Sequence, residues 1–145
     1  SDEFQRPEHR RTAASRRVSR GRLTVRERAV VRMARARWAE DLVANFYQRD
    51  GYEIIARNWH CREGELDIVA VLQEARVKTV VVVEVRARAS NYFGSALESV
   101  TPAKQKKLRS AAKKFLASQA INYSAVRFDV ASVMGVKIEI VRDAF

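Results

Sequence analysis

Thr79-Val80-Val81-Val82-Val83-Glu84-Val85-Arg86-Ala87-Arg88 is the stretch that decides the fold. A β-branched run bounded by charge suits a strand buried on both faces. Strand side chains alternate, so Val80, Val82, Glu84, Arg86 and Arg88 share one face, and Val81, Val83, Val85 and Ala87 the other. Glu84 thus leaves the core side of a central strand, where a charge is costly unless it is paired or bound to a metal.

The preceding segment supplies a partner. Glu65 to Leu72 reads as a strand with Glu65, Asp67, Val69 and Val71 on one face and Leu66, Ile68, Ala70 and Leu72 on the other. Gln73 to Lys78 is a short polar link of the length that joins antiparallel neighbours. A hairpin centred between Ala75 and Arg76 sets Asp67 opposite Glu84 and Glu65 opposite Arg86, with Cβ atoms roughly 5 Å apart. Two ionised carboxylates at that distance repel by about 3 kcal/mol at an effective dielectric near 20. A shared proton, a nearby cation or a divalent metal must offset that repulsion. A Glu65–Arg86 bridge would account for half of the cluster and leave Asp67 and Glu84 unexplained.

Composition narrows the partners. The chain has 145 residues, suited to a single core, and a formal net charge of +11. With a pI near 10.5, it favours a polyanion, nucleic acid above all. No apolar run approaches the ~20 residues of a spanning helix, so no membrane partner is expected. There is no apolar core of a signal peptide after the Arg-rich start. Cys61 is the single cysteine, which rules out a disulfide framework and points to the reducing cytoplasm.

Residues 1–23, rich in Arg and Ser and without periodicity, read as a disordered basic arm, and 24–145 as one α/β domain. Thr24-Val25-Arg26-Glu27 has capping-box spacing and predicts a helix to Arg49, stopped by Asp50-Gly51. Ala39, Leu42, Val43 and Phe46 form its apolar stripe, with Glu40 on the border. Tyr52 to Trp59 is a first strand. Ala89 to Val100 is a loop whose tip holds Asn91 and Tyr92 beside Arg88. Thr101-Pro102 starts a second helix to about Ser118. Its stripe is Leu108, Ala111, Ala112, Phe115 and Leu116, toward which Gln105 also points. Lys106, Lys107, Lys113 and Lys114 make the other face, and with Lys104 they form a surface able to track phosphates. Val126 to Val133 and Val136 to Val141 are two further strands. The order is α-β-β-β-α-β-β, a mixed five-stranded sheet flanked by helices.

An Asp, a Glu on the neighbouring strand and a basic residue two beyond it can cleave phosphodiesters. The carboxylates hold Mg²⁺ or Mn²⁺, the metal activates water, and the cation stabilises the transition state.

Several motifs stand in a characteristic order: Glu40-Asp41-Leu42, Gly51-Tyr52, Asn58-Trp59, Gly64-Glu65-Leu66-Asp67-Ile68-Val69-Ala70, Val83-Glu84-Val85-Arg86-Ala87-Arg88, Lys104-Gln105, Arg127-Phe128-Asp129-Val130 and Ala144-Phe145. From about residue 36 onward the chain resembles the bacterial YraN-like family, in the Holliday-junction-resolvase-like branch of the PD-(D/E)XK nucleases. The resemblance implies a restriction-endonuclease-like core and a metal-dependent endonuclease acting on branched or flapped DNA, as a dimer on a symmetric junction. It implies Asp67 and Glu84 as metal ligands, the Val85 carbonyl as a candidate third, Glu40 as the extra acid reaching the site, and Gln105 as its polar helix residue. Arg86 departs from the Lys usual in that motif, and Ala39 from the usual Gly. Arg stays protonated and cannot act as a general base, so the alternative is a catalytically weak or inactive nucleic-acid-binding module on the nuclease fold.

Overall fold

The computed structural model describes residues 21–88 and 97–145. The basic arm up to residue 20 and the loop tip with Asn91 and Tyr92 lie outside the described residues. The chain divides into two units, residues 1–34 and 35–145.

In chain order the elements are α1 (Val25–Arg49), β1 (Glu53–Cys61), β2 (Gly64–Glu74), β3 (Val77–Arg88), a 3₁₀ turn (Leu97–Ser99), α2 (Pro102–Gln119), β4 (Ala125–Met134) and β5 (Lys137–Val141). Thr24 caps α1 by accepting the Glu27 N–H at 3.0 Å. Thr101 caps α2 by accepting the Lys104 N–H at 3.2 Å, with Pro102 in the first turn. Both starts follow from a hydroxyl satisfying an orphan helix N–H. No described helix is long and apolar enough to cross a membrane.

The strands form one sheet in sequence order. Only β3 and β4 run parallel, because α2 crosses over between them; the other neighbours are antiparallel. This mixed five-stranded sheet, with its α-β-β-β-α-β-β order, matches a restriction-endonuclease-like core.

Two apolar layers cover the sheet. On one face Val80, Val82, Phe128 and Val130 pack with Leu108, Ala111, Ala112, Phe115 and Leu116 of α2. On the other, Val81, Val83, Ala131 and Val133 pack with Ala39, Val43, Ala44 and Tyr47 from the second half of α1. The stripe of α1 is rotated from the one expected. Phe46 is 40% exposed, while Tyr47 and Glu40 are buried. The rotation has a polar cause: the Tyr47 hydroxyl donates to Asp129 Oδ2 at 2.6 Å.

Asp129 is fully buried and its carboxylate is saturated. Besides Tyr47 it accepts from Arg127 Nε at 2.9 Å, Arg127 Nη2 at 3.0 Å and the Asp143 N–H at 3.0 Å. Burial and the neighbouring carboxylate hold the Tyr47 hydroxyl far above its usual pKa. The Asp129 contact holds the Arg127 guanidinium more firmly protonated than usual. The cluster ties α1, β4 and the segment after β5 together. Asp129→Ala strands the Arg127 charge and the Tyr47 hydroxyl, so unfolding in urea should show a loss of about 3–5 kcal/mol, with Asp129→Asn losing less.

Candidate active site

The β2–β3 hairpin has the register read from the sequence. Its pairs run from Glu74↔Val77 back to Ile68↔Val83, which brings Asp67 and Glu84 to the next position. There the ladder changes character. The Val85 N–H donates at 2.9 Å to the Asp67 carboxylate Oδ2, so a side chain takes the part of a strand carbonyl.

The alternation expected along β2 is broken at this point. Leu66 lies in the α2-side core together with Val69 and Val71, while Ile68 and Ala70 lie on the α1 side. β1 changes face alongside it: Ala56 and Trp59, three residues apart, both pack on the α2 side. Between them Asn58 has φ +50°, in the left-handed region that Asn tolerates better than most residues. The flanking pairs Arg57↔Ile68 and Trp59↔Leu66 place Asn58 beside Asp67. The paired irregularity releases Asp67 from the alternation that would aim it straight into one core.

Glu84 is 5% exposed and holds two cations on one oxygen. Arg86 Nη2 lies 3.4 Å and Lys104 Nζ 3.5 Å from Glu84 Oε2. Arg86 Nε is buried with no acceptor among the described residues. The Asp67 carboxyl lies close enough to Glu84 to feel it. Burial first, then hydrogen bonding with Glu84 and its charge, push the Asp67 pKa up to about 7; the Val85 N–H and Lys104 pull the other way. Of the three offsets left open by the sequence, the cations are present, and the raised pKa of Asp67 favours the proton.

Glu40 is held on the α1 side. Its Oε1 accepts from Arg57 Nε at 3.0 Å and Asn58 Nδ2 at 2.8 Å, while Arg57 Nη2 reaches Asp41 at 2.5 Å. Among the described residues no group of three or more His, Cys, Asp or Glu side chains stands close enough to hold a metal ion. Glu40 is therefore linked to the acidic pair through Asn58 rather than grouped with it. Gln105 is half-buried and donates to the Val100 carbonyl at 3.1 Å. Glu65 turns to His60, 3.7 Å away, so the Glu65–Arg86 bridge is replaced by Glu65–His60 and Arg86–Glu84.

Lys104 differs most from the sequence reading. Rather than joining the outer lysines, it points at the sheet. The signal was present: Lys104 precedes Leu108 by four residues and Ala111 by seven, which puts it on the buried stripe. Lys106, Lys107 and Lys113 are exposed, and Lys114 approaches Glu63 at 3.7 Å. Arg88 ends β3, half-buried.

The model of uncharacterised protein family UPF0102 matches residues 39–133, which include Glu40, Asp67, Glu84, Arg86, Lys104 and Gln105. The chain belongs to the UPF0102 family. A UPF0102 protein of Ralstonia nicotianae is 46% identical over 110 residues, covering 74% of this chain and 82% of the relative. One from Acidothermus cellulolyticus is 43% identical over 132 residues, covering 81% and 97%. One from Clostridium perfringens is 38% identical over 96 residues, covering 66% and 75%. UPF0102 membership and the sheet topology agree with the nuclease-like fold implied by the sequence resemblance.

A carboxyl whose pKa rises on folding binds its proton more tightly in the folded state. Its contribution is therefore fully present below about pH 4, declines as pH climbs toward 7 and stays low above that. Asp67→Asn keeps an acceptor for Val85 and a donor for Glu84 without the proton. Denaturant titrations should find Asp67→Asn more stable than wild type at pH 8, by on the order of 2 kcal/mol, with the advantage shrinking at pH 5.

Proposed function

We propose that this protein binds structured DNA over the end of the sheet that carries Asp67 and Glu84, as a nucleic-acid-binding module with weak or no catalysis. The observation that carries the reading is the crowding of Glu84, whose one oxygen already has Arg86 and Lys104 beside it. Two cations and a buried guanidinium N–H without an acceptor suit a phosphate oxygen. The net charge of +11 supplies the long-range attraction. Direct base readout is not part of the reading, since these contacts are directed at the backbone.

The convergence of Asp67 and Glu84 favours a second reading, a metal-dependent endonuclease for branched or flapped DNA. The pair fits Mg²⁺ or Mn²⁺ chemically: both donors are hard oxygens, and a divalent cation would relieve the repulsion between them. Asp67 and Glu84 would hold the ion, which supplies an activated water and charge stabilisation when bound. Arg86 and Lys104 hold and orient the phosphate; Arg86 cannot take a proton from water. On a symmetric four-way junction this reading calls for two copies of the chain, in the cytoplasm where the DNA is.

Labelled four-way, flap and linear substrates, with Mg²⁺, Mn²⁺ or EDTA, separate the readings. The first expects retarded complexes that weaken steeply with salt, with little or no product. Product from wild type that is absent from Asp67→Ala and Glu84→Ala establishes the second. Equal product from all three proteins marks a contaminant, and absence of any complex sinks both readings. As a readout independent of cleavage, Mn²⁺ should raise the thermal midpoint of the wild type at pH 8 and leave Glu84→Gln unmoved if the pair binds metal.

A further inference from the structure

The flank of α2 that turns toward β4 carries a second set of cations, away from the acidic pair. Arg109 and Lys113 stand one helical turn apart, and neither has a carboxylate partner among the described residues. The Arg109 guanidinium lies 5.3 Å from the ring centroids of both Phe128 and Phe145, which stack at 5.0 Å. Such contact with aromatic faces fixes the plane of the guanidinium and leaves its N–H edge available.

Between this flank and the start of β4 is a cleft of about 350 Å³. Leu116, Val126 and Phe128 give it an apolar lining, Arg109 and Lys113 line one side, and Tyr123 lines another. Among the described residues no carboxylate lines it. Tyr123 is 48% exposed, an aromatic face left to solvent beside two cations. An apolar cleft with a flat ring and an excess of positive charge complements one kind of ligand well: a planar base carrying a phosphate.

We propose that this cleft binds one unstacked nucleotide of a single-stranded segment, its base against Tyr123 and its phosphate between Arg109 and Lys113. The proposal rests on the nucleic-acid-binding reading and adds a substrate feature to it, an unpaired tail. Lys104, at the start of the same helix, touches Glu84. At 1.5 Å per residue, Arg109 and Lys113 lie about 7.5 and 13.5 Å further along. A strand that leaves the acidic pair along α2 reaches the cleft within a few nucleotides, at ~3.4 Å each when stacked.

The test compares a blunt duplex with the same duplex bearing a short single-stranded tail that contains 2-aminopurine, in EDTA. Wild type should bind the tailed form more tightly and change the 2-aminopurine fluorescence on binding. Tyr123→Ala should lose about tenfold on the tailed form and nothing on the blunt form, while Tyr123→Phe behaves as wild type. Lys113→Gln should lower the salt slope for the tailed form by about one. Duplex binding with no tail preference, or an equal effect of Tyr123→Ala on both forms, overturns the cleft proposal and leaves the binding reading standing. Loss of all DNA binding by wild type overturns both. Competition by a poly-glutamate peptide as strong as by a single-stranded oligonucleotide assigns the cleft to acidic protein segments and overturns the proposal as well.

Discussion

The hydrogen bond from the Val85 N–H to the Asp67 carboxylate is the contact on which the site depends. In an ordinary antiparallel ladder that N–H would meet a backbone carbonyl, and the residue at position 67 would point to one face or the other. Using a carboxylate instead ends the β2–β3 ladder at Ile68↔Val83 and aims Asp67 along the sheet at its neighbour. Glu84 needs no such device, since β3 stays regular and its alternation alone delivers that side chain to the α2 face. One strand is bent to meet a straight one. The bend is shared with β1 through Asn58, whose left-handed backbone also turns its amide to Glu40. Glu40 therefore supports the geometry of the pair from across the sheet.

The electrostatics follow from this geometry. Two buried carboxyls brought together cannot both ionise cheaply, and two positive side chains converge on Glu84 in response. Their chemistry differs. Arg86 is on β3 itself, with a fixed planar fork. Lys104 arrives from a separate element on a flexible stem, so its position depends on how α2 is seated. Thr101 and Pro102 set where that helix begins, and Leu108, Ala111 and Phe115 set which side faces the sheet. The ammonium position is thus governed by capping and core packing some distance from the site.

Most of the architecture was legible because hydrophobic period and turn chemistry agree along the chain. The valine run, the short polar link after Leu72 and the Thr-Pro helix start each leave few alternatives, and the hairpin register followed from symmetry about Ala75 and Arg76. The failures share one physical origin. Simple alternation missed the face change at Asp67 because a bulge-like irregularity costs little sequence signal beyond an Asn in a strand. The α1 stripe was misaligned because a buried hydrogen bond, Tyr47 to Asp129, outweighed the greater apolarity of Phe46. Lys104 stands beside exposed lysines in the sequence, yet its spacing matches the buried stripe and its ammonium meets Glu84. Polar groups recruited by tertiary contacts are what period-based reading handles worst.

The cations at Glu84 and the raised pKa of Asp67 set the terms on which anything else can bind there. Were a divalent ion to bind Asp67 and Glu84, it would compete with protonation of Asp67, so its affinity would rise with pH through the range in which Asp67 titrates. A phosphate approaching from outside faces the opposite balance. It gains from Arg86 and Lys104, and it loses if the carboxyl pair carries its full negative charge. On the proposed readings, proton, metal and phosphate would be linked through one pair of carboxyls, which the fold brings together by ending a strand ladder on a side chain.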